Sequence, residues 1–322
     1  MLNQALVVST LFLFIFSGCS FKSRIEKNLK KTDSDYSWSG SGSEPFPGES
    51  VPGVKKMNLV YRDYSKLRKE FDMCPYWNEN FGWGEFQDVR TYFQRTELYK
   101  IVDKIEASKE LEKNGYPVIP VYYSSKSKEP FSHILDKYKS YVVKPNHMSA
   151  SNGVWRVLNG KTGSGEDVDT KKIEKEIFAA MDSPSSSNEW LLNHMTRGFL
   201  VQEYVIHDDE YKFQTIWGVV RGGLIMGPGG FHYYHPDGTP IDGSPPLQDP
   251  ELWEEGIRMA EKIAVNTDGL RVDLLVRKNA DGTKDLLVNE LELRSALGWP
   301  NEKLQFAHFW NEGYMGNCIP GI

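Results

Sequence analysis

Two charged tripeptides set inside apolar runs near the end of the chain limit its possible folds more than any other feature. Arg271-Val272-Asp273 lies in the run Leu270–Arg277, Glu290-Leu291-Glu292 lies in Asp285–Leu293, and the turn sequence Asn279-Ala280-Asp281-Gly282 separates them. The pattern predicts a β-hairpin. Residues two apart on a strand share a face, so Arg271 projects with Asp273, and Glu290 with Glu292. The hairpin then gathers three carboxylates and a guanidinium among rows of Leu and Val. Clustered carboxylates are costly to bury unless a hard cation neutralises them, and an oxygen-only set suits Mg2+ or Mn2+. For either strand alone, a solvated face with ordinary ion pairs is the simpler alternative. Both strands are otherwise apolar, which favours the metal and makes Asp273, Glu290 and Glu292 its candidate ligands.

Upstream, helix and strand patterns alternate. Lys104–Asn114 has helical periodicity, stops at Gly115, and leads to a predicted strand over Val118–Tyr123. A helix around Ile134–Lys139 precedes a strand over Tyr141–Pro145, and a second strand over Gly153–Leu158 turns at Asn159-Gly160. Lys171–Met181 is predicted helical, with a loop over Ser183–Asn188. Strands are expected over Phe199–Ile206, Tyr211–Val220 and Gly223–Met226. Gly227–Pro250, dense in Gly, Pro and Asp, is expected as a long loop over a site, and a helix over Leu252–Val265 leads into the hairpin. This is an α+β pattern with largely antiparallel sheets.

Two further segments carry candidate chemistry. In Tyr141–Gly153 (YVVKPNHMSASNG) a lysine, Lys144, ends an apolar strand and opens a loop of small residues. Such a loop exposes backbone N–H groups, the lysine adds a point charge, and phosphate is the natural guest. Taken alone, a lysine at a strand end is more often simply solvated. Gln202-Glu203-Tyr204-Val205, followed by Glu210-Tyr211-Lys212-Phe213, would offer backbone groups to a base and carboxylates to a sugar. By itself it reads as a turn between strands.

In this order the segments resemble the ATP-grasp superfamily, and within it the TupA-like (teichuronopeptide-biosynthesis-type) family, over about residues 98–300. The likeness runs through Asp103-Lys104, Val118-Ile-Pro120, Val142-Val-Lys-Pro-Asn-His147, Gln202-Glu-Tyr-Val205, Glu210-Tyr-Lys-Phe213, Arg271-Val-Asp273 and Glu290-Leu-Glu292. It implies an ATP-grasp fold, two α+β subdomains clamping ATP, behind a small helical N-terminal preface. Lys104 and Lys144 would hold the ATP phosphates, and a loop containing Asn146, Ser149 and Ser151 would close over them. Glu203 and Val205 would meet the adenine edge, and Glu210 the ribose. Lys212 would face the phosphates or the substrate. Arg271 would stabilise the transferring group, and Asp273, Glu290 and Glu292 would bind Mg2+. The chain departs from the family's usual pattern at Glu292, where many members have Asn, and at Met148-Ser149-Ala150, where more glycine is usual.

The N-terminal segment 1–19 contains the apolar run Ala5–Phe16, closed by Ser17-Gly18-Cys19. The run is short for a membrane span and suits a signal-peptide core, and Phe16-Ser-Gly-Cys19 loosely resembles a bacterial lipoprotein box. The basic residues Lys22, Arg24, Lys27, Lys30 and Lys31 follow it rather than precede it, an order that favours a cytoplasmic body if the segment is retained. A membrane tether or envelope location is therefore expected, with the cytoplasmic face open. Residues 20–56, rich in Ser, Gly and Pro, read as a linker, 57–97 as the mostly helical preface, 98–310 as the ATP-grasp domain and 311–322 as a tail. Cys19, Cys74 and Cys318 lack metal-finger spacing and are too few for a disulfide framework; a Cys74–Cys318 bridge and two buried thiols both stay open. A net charge of -6 argues against nucleic acid as a partner.

The resemblance implies an ATP- and Mg-dependent carboxylate–amine ligase acting on a small-molecule or polymer acceptor, in polysaccharide or cell-envelope polymer modification. A phosphotransferase acting on a sugar or other hydroxyl stays open, and so does a non-catalytic nucleotide- or glycan-binding module. The full set of lysines and carboxylates counts against the last. A hydroxyl acceptor would need a base, for which His147, His232 and His235 are the candidates. Removing the charge of Asp273 or Glu290 is expected to abolish metal-dependent turnover while sparing or raising stability.

Overall fold

Helix caps and tight turns place the elements close to where the sequence puts them. The computed structural model describes residues 99–293 apart from 186–191, 193–194, 217, 242, 266 and 268. The expected signal-like segment, linker, helical preface and tail, with all three cysteines, lie outside these residues. After a short helix α1 (Tyr99–Val102), α2 (Lys104–Lys113) starts at Asp103, whose carboxylate accepts from Ile105 N–H, and stops before Gly115, where φ is +80°. Next come β1 (Val121–Ser125), α3 (Ser132–Leu135), β2 (Tyr141–Pro145), β3 (Trp155–Leu158) and β4 (Lys161–Thr162). Asn159 and Gly160 both take positive φ in the turn joining β3 to β4, as a tight hairpin requires. Helix α4 (Thr170–Asp182) is capped by Asp169 and buries Ile173, Ile177 and Met181, spaced by four along one face.

The chain continues through β5 (Phe199–Glu203), β6 (His207–Ile216), β7 (Val219–Gly227), β8 (Gly230–Tyr234), β9 (Pro240–Ile241), α5 (Pro250–Ala264), β10 (Gly269–Lys278) and β11 (Lys284–Glu292). The strands form two antiparallel sheets, ordered β1-β5-β2-β3-β4 and β11-β10-β6-β7-β8-β9. The smaller sheet packs on α3 and α4 around Phe131, Tyr141, Ile177 and Phe199. The larger packs on α5, whose Trp253 lies among Tyr211, Phe213 and Tyr234. Two glycines make that approach possible: a Cβ on Gly223 would lie 2.4 Å from Trp253, and one on Gly256 would lie 2.6 Å from Phe213. The expected α+β class with antiparallel sheets is observed.

Several element boundaries move: the helix expected around Ile134–Lys139 forms earlier, at Ser132–Leu135, and the strand expected over Phe199–Ile206 ends at Glu203. The strand expected at Val118–Tyr123 forms at Val121–Ser125, and Val118 makes only an isolated bridge to Val288. The strand expected over Tyr211–Val220 is two strands, because Gly218, at φ +72°, turns the chain after Ile216. Within the expected loop Gly227–Pro250, β8 and β9 extend the larger sheet by hairpin pairing that glycine-rich composition disguises. Among the described residues no helix is long and apolar enough to cross a membrane.

Candidate active site

A cavity of about 510 Å³ opens between the two sheets, and strand alternation sets much of its lining. The smaller sheet contributes Val142 and Lys144 from β2, Arg156 from β3 and Gln202 from β5; the larger contributes Glu210 and Lys212 from β6, and Arg271, Asp273 and Leu275 from β10. Each set keeps the two-residue period, and cross-strand register aligns Val142 with Arg156 and Gln202, and Asp273 with Lys212 and Glu290. One end of the cavity is apolar. Ile119, Val205, Leu275 and Leu287 form a buried cluster there, where Tyr204 and Val205 carry the chain from β5 in one sheet to β6 in the other.

The other end is charged. Lys104, Lys144, Lys212 and Arg271 are each at most 8% exposed and all face the cavity. Lys104 Nζ lies 2.8 Å from Glu290 and donates to the Met148 carbonyl at 2.9 Å. Lys212 Nζ lies 2.6 Å from Asp273 and 3.0 Å from Glu210. Arg271 grips Asp273 through Nε at 2.7 Å and Nη2 at 2.8 Å, and its Nη2 reaches Glu292 at 2.7 Å. Asp273, Glu290 and Glu292 each offer an oxygen within 4.8 Å of the others, so the expected metal ligands converge. This all-oxygen set fits a hard divalent cation.

Burial and neighbouring charge act differently on each group. Burial opposes the charge on Asp273, but Arg271 and Lys212 outweigh it and hold the carboxyl at about 2. Burial likewise disfavours ionised Glu290, yet Lys104 and Lys144 keep it below the usual range. For Glu292 burial wins, and the negative charges of Glu290 and Asp273 add to it against Arg271, raising the carboxyl to about 8. A third negative charge is therefore poorly tolerated without a cation. Burial lowers the Lys144 ammonium to about 8. Lys212 is disfavoured by burial too, but Asp273 and Glu210 keep it charged, above the ordinary lysine value.

Ser149, Ser151, Glu203, Val205 and Glu210 all line the cavity. Ala150 and Ser151, in the loop over the charged end, have φ of 53° and 61°. Holding side chains in this left-handed region costs on the order of 1 kcal/mol each. Asn146 is not a cavity residue. Its side chain is fully buried, donating to Asp103 Oδ1 and Thr196 O at 3.0 Å each and accepting from Gly198 N–H at 2.7 Å. It ties the cap of α2 to the loop and so steadies Lys104 indirectly. The sequence reading missed Arg156 and Asn289. Continuing the two-residue period from Lys144 to Val142 and across to the next strand would have found Arg156; nothing local signals Asn289.

No protein-family profile and no curated protein matches the chain. Among solved structures it is similar to D-cycloserine synthetase DcsG, at 19% identity over 73% of this chain and 84% of that one, with a TM-score of 0.43. It is also similar to the D-alanine–D-alanine ligase of Bacillus anthracis complexed with ATP, at 15% identity over 69% of this chain and 67% of that one, TM-score 0.42. A third likeness is to biotin carboxylase from Campylobacter jejuni, at 15% identity and TM-score 0.44, covering 67% of this chain and 47% of that one.

Proposed function

We propose that this chain is an ATP-grasp enzyme that uses Mg-ATP to join a carboxylate to an amine. The observation that carries the reading is one cleft with an apolar end and, opposite, four buried cations facing three clustered carboxylates. Ile119, Val205 and Leu275 would enclose the base, while Lys104 and Lys144 would bind the phosphates as point charges. A divalent cation held by Asp273, Glu290 and Glu292 would neutralise phosphate oxygens. Arg271, fixed by Asp273 and Glu292, presents a guanidinium that cannot lose its proton, so its charge persists as the phosphoryl group moves.

The acid's carboxylate oxygen would attack the γ-phosphorus as the bond to ADP breaks. An amine would then attack the acyl carbon, expel phosphate and give up a proton. A carboxylate is ionised at neutral pH and needs no base for the first step. In keeping with this, neither His147, His232 nor His235 is among the residues lining the cavity. His147 is buried with Nε2 against Ser183 O at 3.1 Å. His207 lines the cavity, but it precedes Lys212 by five residues on β6, about 16 Å at the usual strand rise. An envelope polymer as carrier of the acid or the amine follows from the teichuronopeptide-type resemblance alone.

ADP release across a panel of amino acids, sugars and uronic acids with Mg-ATP tests the reading, with hydroxylamine present to trap an acyl phosphate as a hydroxamate. Hydroxamate formation, and little loss in His235→Ala, are expected. A stable phosphate ester with no hydroxamate, and activity lost in His235→Ala, would move the assignment to a phosphotransferase.

A further inference from the structure

Asp273 faces Glu290 across the β10–β11 ladder and Leu274 faces Val288, so Asn289 is the extra residue of a β-bulge. Unbroken alternation from Glu292 and Glu290 would aim Val288 into the cleft and Asn289 into the core. Instead Val288 and Leu286 pack in the core of the larger sheet, Leu287 joins the apolar end of the cleft, and Asn289 stands beside Glu290 on the cavity wall. The Asn289 amide then spans two opposite charges. Its Oδ1 accepts from Lys144 Nζ at 3.2 Å and its Nδ2 donates to Glu210 Oε1 at 3.0 Å. An ammonium only donates and a carboxylate only accepts, so these partners fix which way the amide points. Lys144 belongs to the smaller sheet, Glu210 and Asn289 to the larger.

We infer that Asn289 is a positioning residue for the nucleotide, holding Lys144 and Glu210 apart and aimed into the cleft so that they do not close into an ion pair. The inference rests on the ATP reading above. A direct Lys144–Glu210 pair would spend the cation that a phosphate needs and the carboxylate that already holds Lys212. The amide takes one proton of the ammonium and leaves it two to donate. Four other charged groups act on Lys144: Glu290 from β11, Lys104 from α2, Glu210 from β6 and Arg156 from β3. Only a neutral group with one acceptor and one donor end satisfies both neighbours without altering that balance.

Calorimetric titration of Mg-ATP into the full chain, with Asn289→Leu and Asn289→Asp beside the wild type at pH 7 and pH 9, tests this. Asn289→Leu removes a hydrogen bond to each charged group and is expected to weaken binding about tenfold or more at pH 7. Asn289→Asp pairs with Lys144 but repels Glu210. It is expected to bind more weakly than the wild type at pH 7, yet to lose less affinity between pH 7 and pH 9, because its carboxylate keeps Lys144 protonated. A purely structural residue would not change the pH response in this way. Wild-type affinity in either folded variant, or the same loss from pH 7 to pH 9 in Asn289→Asp as in the wild type, overturns the inference while leaving the ATP reading intact. Failure of the wild type itself to bind Mg-ATP overturns both.

Discussion

Lys104 at the start of α2 and Glu290 on β11 lie 2.8 Å apart, fastening that helix to the edge strand of the larger sheet. The same ammonium donates to Met148 O, so one lysine joins the helix, the small-residue loop and the strand of candidate metal ligands. Desolvating such a pair costs free energy that its mutual attraction need not recover. Its value lies in placing charge.

Lys104→Ala and Lys144→Ala should therefore each weaken Mg-ATP binding by about tenfold or more, since each removes a cation facing phosphate. Calorimetry on the folded variants measures this. Unchanged affinity in both would remove the phosphate assignment.

Asp273→Asn and Glu292→Gln should part company in stability. Relief of carboxylate repulsion is the sequence-based expectation for Asp273, but Asp273 is bound by both Arg271 and Lys212. Its neutralisation leaves Lys212 with Glu210 alone and Arg271 with the largely protonated Glu292 alone, and should cost about 3–5 kcal/mol. Glu292, raised to about 8, is largely protonated at pH 7, and glutamine closely mimics that form, so Glu292→Gln should unfold near the wild-type temperature. Both variants should lose Mg2+-dependent turnover. Thermal melts paired with ADP release distinguish the effects, and a stable Asp273→Asn protein with wild-type turnover would refute both roles.

The Lys144 ammonium gives stability a distinct alkaline response. Its folded value is about 8 against an ordinary 10.5, so the folded state sheds its proton first as pH rises. Below pH 8 both states are charged and the burial penalty is fully present. Between about 8 and 10.5 the unfolded chain holds more protons, and this one group makes stability rise, by up to about 3 kcal/mol. Lys144→Met removes the term, so its advantage over the wild type should be largest at pH 7 and shrink towards pH 10. Chemical denaturation at several pH values checks the sign.

Gly223→Ala should destabilise by about 1–3 kcal/mol, because the new methyl meets Trp253 at 2.4 Å in a packed core. Gly163→Ala, whose methyl would have no heavy atom within 4 Å, is the control and should melt as the wild type does. Equal melting temperatures for the two variants would mean that α5 shifts freely on its sheet.

Local pattern was enough for the hairpin, the end of α2 at Gly115 and the convergence of Arg271, Asp273, Glu290 and Glu292. Alternation and turn chemistry act over a few residues, so the sequence carries them directly. The same is true of Lys144 at the end of β2 and of the helix over Lys171–Met181. The small strands β8 and β9 were not legible, because their stability comes from pairing with β7 rather than from their own composition.

What the sequence determined alone is which residue types share a face within each element. Which face became the cleft wall was decided by the tertiary structure. The bulge at Asn289 shifts the phase of β11 midway, letting Leu287 serve the apolar end while Glu290 and Glu292 serve the charged end. Asn146 sits in the same loop as Ser149, yet its amide is used up by Asp103, Thr196 and Gly198, contacts that cross from 43 to 52 residues of chain. Register and burial depend on partners distant in sequence, so no local window contains them.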